Sequence, residues 1–132
     1  MDRSLGDGGM ALLGQLGISF DAYGEGWATA KWTPTELACN PAGTVHGGFA
    51  ATLLDSCMGL AIQSTLEKGV GQTTLEFKIS LLRPITPETG VIKAEGIVLS
   101  RGRRVGTAEG RITDGTGRLL AHGTTTCLIF QS

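Results

Sequence analysis

One acidic residue, Asp55, interrupts a mainly apolar stretch that runs from Phe49 to Leu66. A buried carboxylate without partners is strongly disfavoured or becomes neutral, so Asp55 requires either a set of hydrogen-bond donors or a solvated site. Carboxylates in such surroundings cluster at active sites, which favours a catalytic role over a structural one. A catalytic carboxylate acts either as a general base on water or as a nucleophile.

The tripeptide His46-Gly47-Gly48 lies directly before this stretch and predicts the start of a long helix. Apolar residues occupy most angular positions, which indicates a helix buried on most sides, predicted from Gly47 to Lys68 with Gly69 as its left-handed stop. The first amides of a helix have no intrahelical partners and lie at the positive end of its dipole. The amide of Gly47 is therefore a candidate donor to a carbonyl oxygen that becomes negative during a reaction.

Gly47 and Asp55 are eight residues apart on the predicted helix, which corresponds to about 12 Å at the usual rise per residue. Two groups at that distance cannot both contact one reacting carbonyl. We therefore predict a homodimer in which each site combines Asn40, His46 and Gly47 of one subunit with Asp55 of the other.

The rest of the chain predicts mainly strands, which form an antiparallel sheet with one face against the long helix. The fold class is therefore α+β, with residues 1–132 as one domain and residues 1–9 as a flexible lead. Besides the long helix, the predicted elements are a short helix (Met10 to Leu16), a hairpin of two strands (Ile18 to Tyr23 and Trp27 to Thr33), a loop (Pro34 to Gly43) and four strands (Leu75 to Leu81, Val91 to Ser100, Val105 to Thr113 and Arg118 to Phe130).

Composition limits the functions that such a domain can have. A formal net charge of −1 argues against a broad surface for nucleic acid, and no stretch reaches transmembrane length without polar interruption. Cys39, Cys57 and Cys127 contain no CxxC pair, so they predict core packing in a reducing compartment rather than a disulfide framework. We expect a cytoplasmic protein that binds neither nucleic acid nor membrane.

The ordered set of Asn40, His46-Gly47-Gly48 and Asp55 resembles the hotdog-fold acyl-CoA thioesterases of the phenylacetate-degradation type, the PaaI-like family. The segment from Thr73 to Pro84 resembles that family's strand ending in an Arg-Pro turn, and Ser100 to Arg104 resembles its next connection. The resemblance covers nearly the whole domain. It implies a sheet wrapped around one long central helix, and it implies hydrolysis of an acyl-CoA thioester to the free acid and coenzyme A.

The resemblance also implies roles for single residues. It makes Asp55 the catalytic carboxylate and the Gly47 amide the group that polarises the thioester carbonyl. It implies that Asn40 helps to hold water or substrate and that Thr74 places a hydroxyl near the reacting group. His46 is either a general base or a residue that orients the loop by hydrogen bonds, and its place just before the helix favours the second role.

Coenzyme A is expected to be bound as part of the substrate, with no separate cofactor and no metal, because the chain has only two histidines and no clustered acids. Guanidinium groups suit phosphate oxygens, so the turn Arg101-Gly102-Arg103-Arg104 is a candidate phosphate contact. By resemblance, the turn Leu82-Arg83-Pro84 borders the same channel, and two dimers pair into a homotetramer.

Other interpretations stay open. A Cys57 nucleophile is disfavoured because that residue points to a different side of the helix, and His122 is interpreted as an ordinary strand histidine. A hydratase or dehydratase of this fold pairs its acid with a histidine in the site. Here Leu60 rather than a histidine lies five residues after Asp55, which disfavours this alternative. A noncatalytic acyl-CoA-binding protein is the other alternative.

The acyl group is either aryl or medium-chain aliphatic, in a cavity that we expect to be lined by residues such as Met10, Leu13, Phe49 and Met58.

Overall fold

The computed structural model describes residues 11–131, in which a six-stranded antiparallel sheet packs against one long helix. The strands follow the order β1-β2-β4-β5-β6-β3 across the sheet, so β3 lies at one edge and β1 at the other. The elements are α1 (Ala11–Gln15), β1 (Ser19–Gly24), β2 (Trp27–Trp32), α2 (Gly47–Gln63), β3 (Val70–Leu81), β4 (Ile92–Arg101), β5 (Val105–Thr113) and β6 (Leu119–Gln131), with short 3-10 turns at Glu36–Ala38 and Pro87–Thr89.

Helix α2 lies close to the middle of the sheet because the facing strands carry small residues. At Gly96 in β4, an added Cβ would overlap the backbone carbonyl oxygen of Cys57, so no larger residue fits there. Leu53, Leu54 and Met58 on α2 are fully buried and form the centre of the core. The predicted α+β architecture, a sheet wrapped around one long helix, is confirmed.

The long helix is shorter than its sequence predicts, because it ends at Gln63 and not at Lys68. Hydroxyl groups satisfy its last carbonyls: Ser64 Oγ donates to the oxygen of Ala61 at 2.6 Å, and Thr65 Oγ1 donates to that of Ile62 at 2.7 Å. These bonds close the helix before the apolar stretch ends. Gly69 does adopt a positive φ of 87°, but in the turn that leads into β3.

Most predicted strands lie within one or two residues of the observed ones, and the hairpin of β1 and β2 is confirmed. Strand β3 is the exception, because it begins at Val70, five residues before the predicted start. Met10 and the predicted flexible lead, residues 1–9, lie outside the described residues. Within residues 11–131 no helix is long and apolar enough to cross a membrane.

Strand β3 does not bury its apolar face within the chain. Leu75, Phe77 and Leu81 are 56%, 43% and 55% exposed, although Phe77 and Leu81 lie on the side of the sheet that packs against α2. A bulge between Thr74 and Glu76 changes the alternation of side chains along this strand. The result is a long edge strand with exposed apolar side chains.

Candidate active site

Asp55 lies on α2 and faces Thr74 on β3. The hydroxyl of Thr74 donates a 2.9 Å hydrogen bond to Asp55 Oδ1, and the partly buried carboxylate is open to a cavity of about 590 Å³. One Asp55 oxygen is thus held by a donor from the neighbouring strand, while the carboxylate stays accessible. The cavity is lined by Leu12, Leu13, Thr52, Asp55, Ser56, Gly59, Leu60, Gln63, Gln72 and Thr74.

Thr74 also approaches the buried thiol of Cys127, with 3.9 Å between Thr74 Oγ1 and Cys127 Sγ. Burial raises the pKa of the Cys127 thiol above its ordinary value, and the nearby charge of Asp55 acts in the same direction. The thiol therefore stays protonated near neutral pH. The hydroxyl of Thr74 is the group in this cluster that supports the carboxylate.

His46 is the N-cap of α2, and its ring Nδ1 accepts a 3.0 Å hydrogen bond from the amide of Gly48. This contact supports the predicted positioning role, because it fixes the loop at the helix start. The neighbouring amide of Gly47 has no hydrogen-bond partner in the described part of the chain. It is a first-turn amide of the kind that binds anions and polarised carbonyls.

Asn40 organises the loop that precedes α2. Its side-chain Nδ2 donates to Thr44 Oγ1 at 3.0 Å, and its Oδ1 accepts from the amide of Ala42 at 2.9 Å. The structure thus gives Asn40 contacts that shape the loop, whereas its predicted contact with water or substrate stays a prediction. A second cavity, of about 250 Å³, is lined by Asn40, Thr44, Val45, Gly47, Ala50, Leu81, Leu82, Arg83, Pro84 and Ile85.

Asp55 and Gly47 therefore line different cavities of the same chain. The sequence predicts this separation from the helical rise between them. Within one chain, the carboxylate and the candidate oxyanion donor do not form one site.

The basic turn lies at a third place. Arg101, Arg103 and Arg104 are exposed and border a cavity of about 340 Å³ together with Glu67. Gly102 closes the turn by donating its amide to the carbonyl oxygen of Val105 at 2.8 Å. Arg83 is not part of this cavity, since it lines the Gly47 cavity with Leu82 and Pro84. Within one chain, the two predicted coenzyme A segments do not border a common channel.

Two other candidate residues, Cys57 and His122, lie in surroundings that favour structural roles over catalytic ones. Cys57 is fully buried, and desolvation raises the pKa of its thiol from 9.0 to about 12, so the structure argues against a thiolate nucleophile. His122 lies on β6 with its Nε2 3.3 Å from Glu109 Oε2. Its neighbours Ala121 and Gly123 are buried, so His122 points away from α2.

Two residues expected to line the acyl cavity have core contacts within the chain, where Phe49 is half-buried and Met58 fully buried. Phe49 stacks on Trp32 with ring centroids 4.2 Å apart. Met58 is fully buried and packs toward the sheet at Gly96 and Gly110. Leu13 does line the Asp55 cavity, and Met10 lies outside the described residues.

Thr52 lies three residues before Asp55, on the face that helical spacing predicts, whereas sequence reasoning missed three other polar residues of the cavity: Ser56, Gln63 and Gln72. Helical spacing carried a signal for the first two, because Ser56 lies four residues after Thr52 and Gln63 lies four residues after Gly59. Gln72 had a weaker signal, since it lies two residues before Thr74 on the same face of β3.

Comparison with known proteins identifies the family. The family model of the thioesterase superfamily matches residues 42–121, more than half of the chain. The chain therefore belongs to the thioesterase superfamily, the family to which the predicted enzyme class, a thioester hydrolase, corresponds.

Individual relatives agree with this assignment. The chain is 37% identical over 103 residues to a candidate esterase of Halobacterium salinarum, a match that spans 74% of this chain and 66% of the relative, just under two thirds. It is 31% identical over 115 residues to acyl-coenzyme A thioesterase 13 of Mus musculus, across 79% of this chain and 80% of the relative. A solved structure from Ralstonia eutropha, a candidate thioesterase described as a phenylacetic acid degradation-related protein, superposes with a TM-score of 0.81 at 31% identity and covers 89% of each chain.

Proposed function

We propose that the protein hydrolyses an acyl-CoA thioester to the free acid and coenzyme A, with Asp55 as its catalytic carboxylate. The observation that carries the proposal is the Asp55 side chain, held at 2.9 Å by Thr74 and open to a cavity of about 590 Å³ within a thioesterase-superfamily fold. The acyl-coenzyme A thioesterase among the relatives supports this choice of substrate class.

The proposal requires a second subunit, because Gly47 and Asp55 line different cavities. Strand β3 is suited to the contact, since it is twelve residues long, lies at the sheet edge and exposes apolar side chains. An edge strand offers unpaired backbone groups to another strand. We propose that β3 pairs with its own copy about a two-fold axis perpendicular to the strand, which makes the two copies antiparallel.

Antiparallel pairing also brings the two cavities together. Thr74 of the Asp55 cavity lies in the first half of β3, whereas Leu81 of the Gly47 cavity is its last residue. When the pairing is centred near Phe77, the last residues of one strand lie beside the first residues of the other. The Gly47 cavity of each subunit then adjoins the Asp55 cavity of its partner.

In the shared site, the Gly47 amide donates to the thioester carbonyl oxygen and stabilises the negative charge that develops there. Asp55 either removes a proton from water, which attacks the carbonyl carbon, or attacks that carbon itself to give an anhydride that water opens. In both routes the carbon–sulfur bond breaks and the coenzyme A thiolate takes up a proton. Single-turnover hydrolysis in ¹⁸O-labelled water distinguishes them, because only the anhydride route transfers label to Asp55.

We propose that the coenzyme A phosphates are bound by the exposed side chains of Arg101, Arg103 and Arg104, since a guanidinium fork matches phosphate oxygens. His46 and Asn40 hold the loop that presents the Gly47 amide, through the contacts of His46 with Gly48 and of Asn40 with Thr44. A homotetramer of two such dimers stays a prediction from resemblance.

Replacing Asp55 tests the proposal most directly. Asp55→Asn keeps an oxygen for the Thr74 hydroxyl, so we expect the fold to persist while kcat falls by about 10²–10⁴. Release of coenzyme A thiol from a panel of acyl-CoA esters measures this. Asp114→Asn is the matched control, because Asp114 lies in the solvent-facing turn between β5 and β6. Asp55→Asn turnover near that of the wild type would remove Asp55 from the reaction, and binding without turnover by the wild type would favour a noncatalytic acyl-CoA-binding protein.

A further inference from the structure

A buried thiol on the neighbouring strand lies behind the hydrogen bond between Thr74 and Asp55. Cys127 is directly across from Thr74 in the pairing of β3 with β6, and its side chain is fully buried. Its Sγ lies 3.9 Å from Thr74 Oγ1, and Thr74 Oγ1 lies 2.9 Å from Asp55 Oδ1. The Thr74 hydroxyl is therefore held between the candidate catalytic carboxylate and the thiol.

The direction of these two hydrogen bonds follows from the number of hydrogens. The hydroxyl of Thr74 has a single hydrogen, which it donates to Asp55 Oδ1. The contact with Cys127 then takes its hydrogen from the thiol, which is a weak donor. The sulfur keeps this hydrogen near neutral pH, because burial raises the pKa of the Cys127 thiol. The thiol thus donates to Thr74, and Thr74 donates to Asp55.

A bulge in β3 explains why Thr74 depends on contacts from β6. The regular pairing of the two strands is interrupted between Thr74 and Glu76, directly after the pair of Thr74 with Cys127. Strand β6 contacts the chain on both sides of this bulge, because Thr125 Oγ1 donates to the carbonyl oxygen of Glu76 at 3.0 Å. A bulge re-aims the side chains beside it. Among these contacts from β6, the thiol is the one that reaches the Thr74 hydroxyl itself.

We propose that Cys127 is a positioning residue for thioester hydrolysis, which acts by holding and polarising the Thr74 hydroxyl that supports Asp55. This inference rests on the proposed function, because it takes Asp55 as the catalytic carboxylate. Donation from the thiol makes Thr74 a better donor, since consecutive hydrogen bonds polarise one another. A thiol suits this position because it packs in a core like a small apolar side chain, whereas a hydroxyl costs more to bury.

Two substitutions remove the thiol hydrogen with opposite effects on side-chain volume. Cys127→Ala leaves space, and Cys127→Val fills it without a donor. Both should lower kcat on the best acyl-CoA substrate by about three- to tenfold, the effect of one hydrogen bond, with little change in KM. Cys57→Ala is the control, because it removes a fully buried thiol outside the Asp55 cavity and should keep the wild-type kcat. Wild-type kcat in either folded Cys127 variant, or an equal loss in Cys57→Ala, would overturn the proposal.

A double-mutant cycle separates an effect through Thr74 from an effect on packing. Thr74→Val removes the hydroxyl and keeps the branched shape of the side chain. In this background, Cys127→Ala should change kcat by less than about twofold, because the group through which the thiol acts is missing. Equal fractional losses with and without the Thr74 hydroxyl would show that Cys127 affects packing alone, and the positioning role would be wrong.

The pH profile of kcat/KM provides a second readout that packing alone would not change. A weaker donor stabilises the ionised carboxylate less, so Cys127→Ala should move the acid limb to higher pH. Asp55 is the one titratable side chain among the described residues that line its cavity. In the proposed dimer the Gly47 end of the other subunit adds Arg83 and His46, which are the same in all variants. An unmoved acid limb would contradict the proposal.

Infrared spectroscopy of the S–H stretching band tests the contact without turnover. The band of Cys127 is identified by its loss in Cys127→Ala. Thr74→Val should move it to higher frequency, because the thiol then has no hydroxyl oxygen to donate to. Hydrolysis by a wild type whose band does not respond to Thr74→Val would leave the proposed function in place and remove the role of Cys127. A band that responds, in a protein that hydrolyses no acyl-CoA, would remove the proposed function and the positioning role with it.

Discussion

Among single residues, Gly47 has a proposed role that can be tested by removing its backbone N–H. Proline lacks the backbone N–H and fits the first position of a helix, and the ψ of 134° at His46 suits a following proline. Gly47→Pro should therefore keep α2 and lower kcat by about 10²–10³, the usual effect of losing one oxyanion donor. Steady-state kinetics on the best acyl-CoA substrate measure the change.

The matched control is Gly47→Ala, which retains the N–H. Its Cβ would lie 3.0 Å from Leu81 Cδ1, the mobile end of a side chain, so a small adjustment accommodates it. The alanine variant should retain far more turnover than the proline variant. Similar kcat values for the two variants would show that the amide is not the oxyanion donor.

Cys57 predicts a dependence of stability on pH. Because burial raises the pKa of its thiol from 9.0 to about 12, the buried thiol contributes fully to stability below pH 9, and this contribution is lost as the pH rises toward 12. Relative to Cys57→Ala, the free energy of unfolding of the wild type should fall by about 1.4 kcal/mol per pH unit in that window. Urea unfolding at pH 8 and pH 10 measures the difference, and parallel losses in both proteins would contradict the assignment.

The sequence predicted only some of the residues of the candidate site. Asp55 and Gly47 were found from residue type and helical spacing, because a helix has a fixed rise. Gln72 was not, because its position depends on the bulge between Thr74 and Glu76. With that bulge, Gln72 and Thr74 lie on the same side of the sheet as Phe77, a relation that strict alternation forbids.

At the scale of secondary structure, hydrophobic pattern predicted which elements exist, and local hydrogen bonds decided where they end. The apolar stretch continues to Leu66, yet the hydroxyls of Ser64 and Thr65 close α2 at Gln63. The place of β3 beside β6 was also beyond sequence reasoning. Strand order depends on how long connections cross the sheet, and those connections have no periodic signal.

The proposed subunit contact along β3 can be tested at its exposed apolar centre. Phe77 is 43% exposed near the middle of the strand, so a charge there should oppose pairing of two copies. Phe77→Glu should turn a dimer into a folded monomer in sedimentation velocity and should lose thioesterase activity in parallel. Leu37→Glu, at a loop residue that is 93% exposed, is the control. A Phe77→Glu dimer with wild-type affinity would place the subunit contact elsewhere.

For the whole molecule, the distribution of candidate residues becomes coherent only in an assembly. One chain holds the carboxylate, the helix-start amide and the basic turn at three separate cavities. The proposed antiparallel pairing of β3 would bring the first two together across a two-fold axis. On this proposal each chain carries two incomplete halves toward the two ends of one strand, and a symmetric dimer would contain two complete sites.

Mixing two inactive variants tests this arrangement. Asp55→Asn and Gly47→Pro each disable both sites of their own homodimer, but a mixed dimer joins the Asp55 of one chain to the Gly47 amide of the other at one of its two sites. Random exchange of subunits makes half of the dimers mixed, so activity should recover to about one quarter of the wild-type value. Sites contained within single chains predict no recovery, because every site would then retain one defect. The measurement is thiol release after equimolar mixing under conditions that exchange subunits, with each variant alone as the baseline.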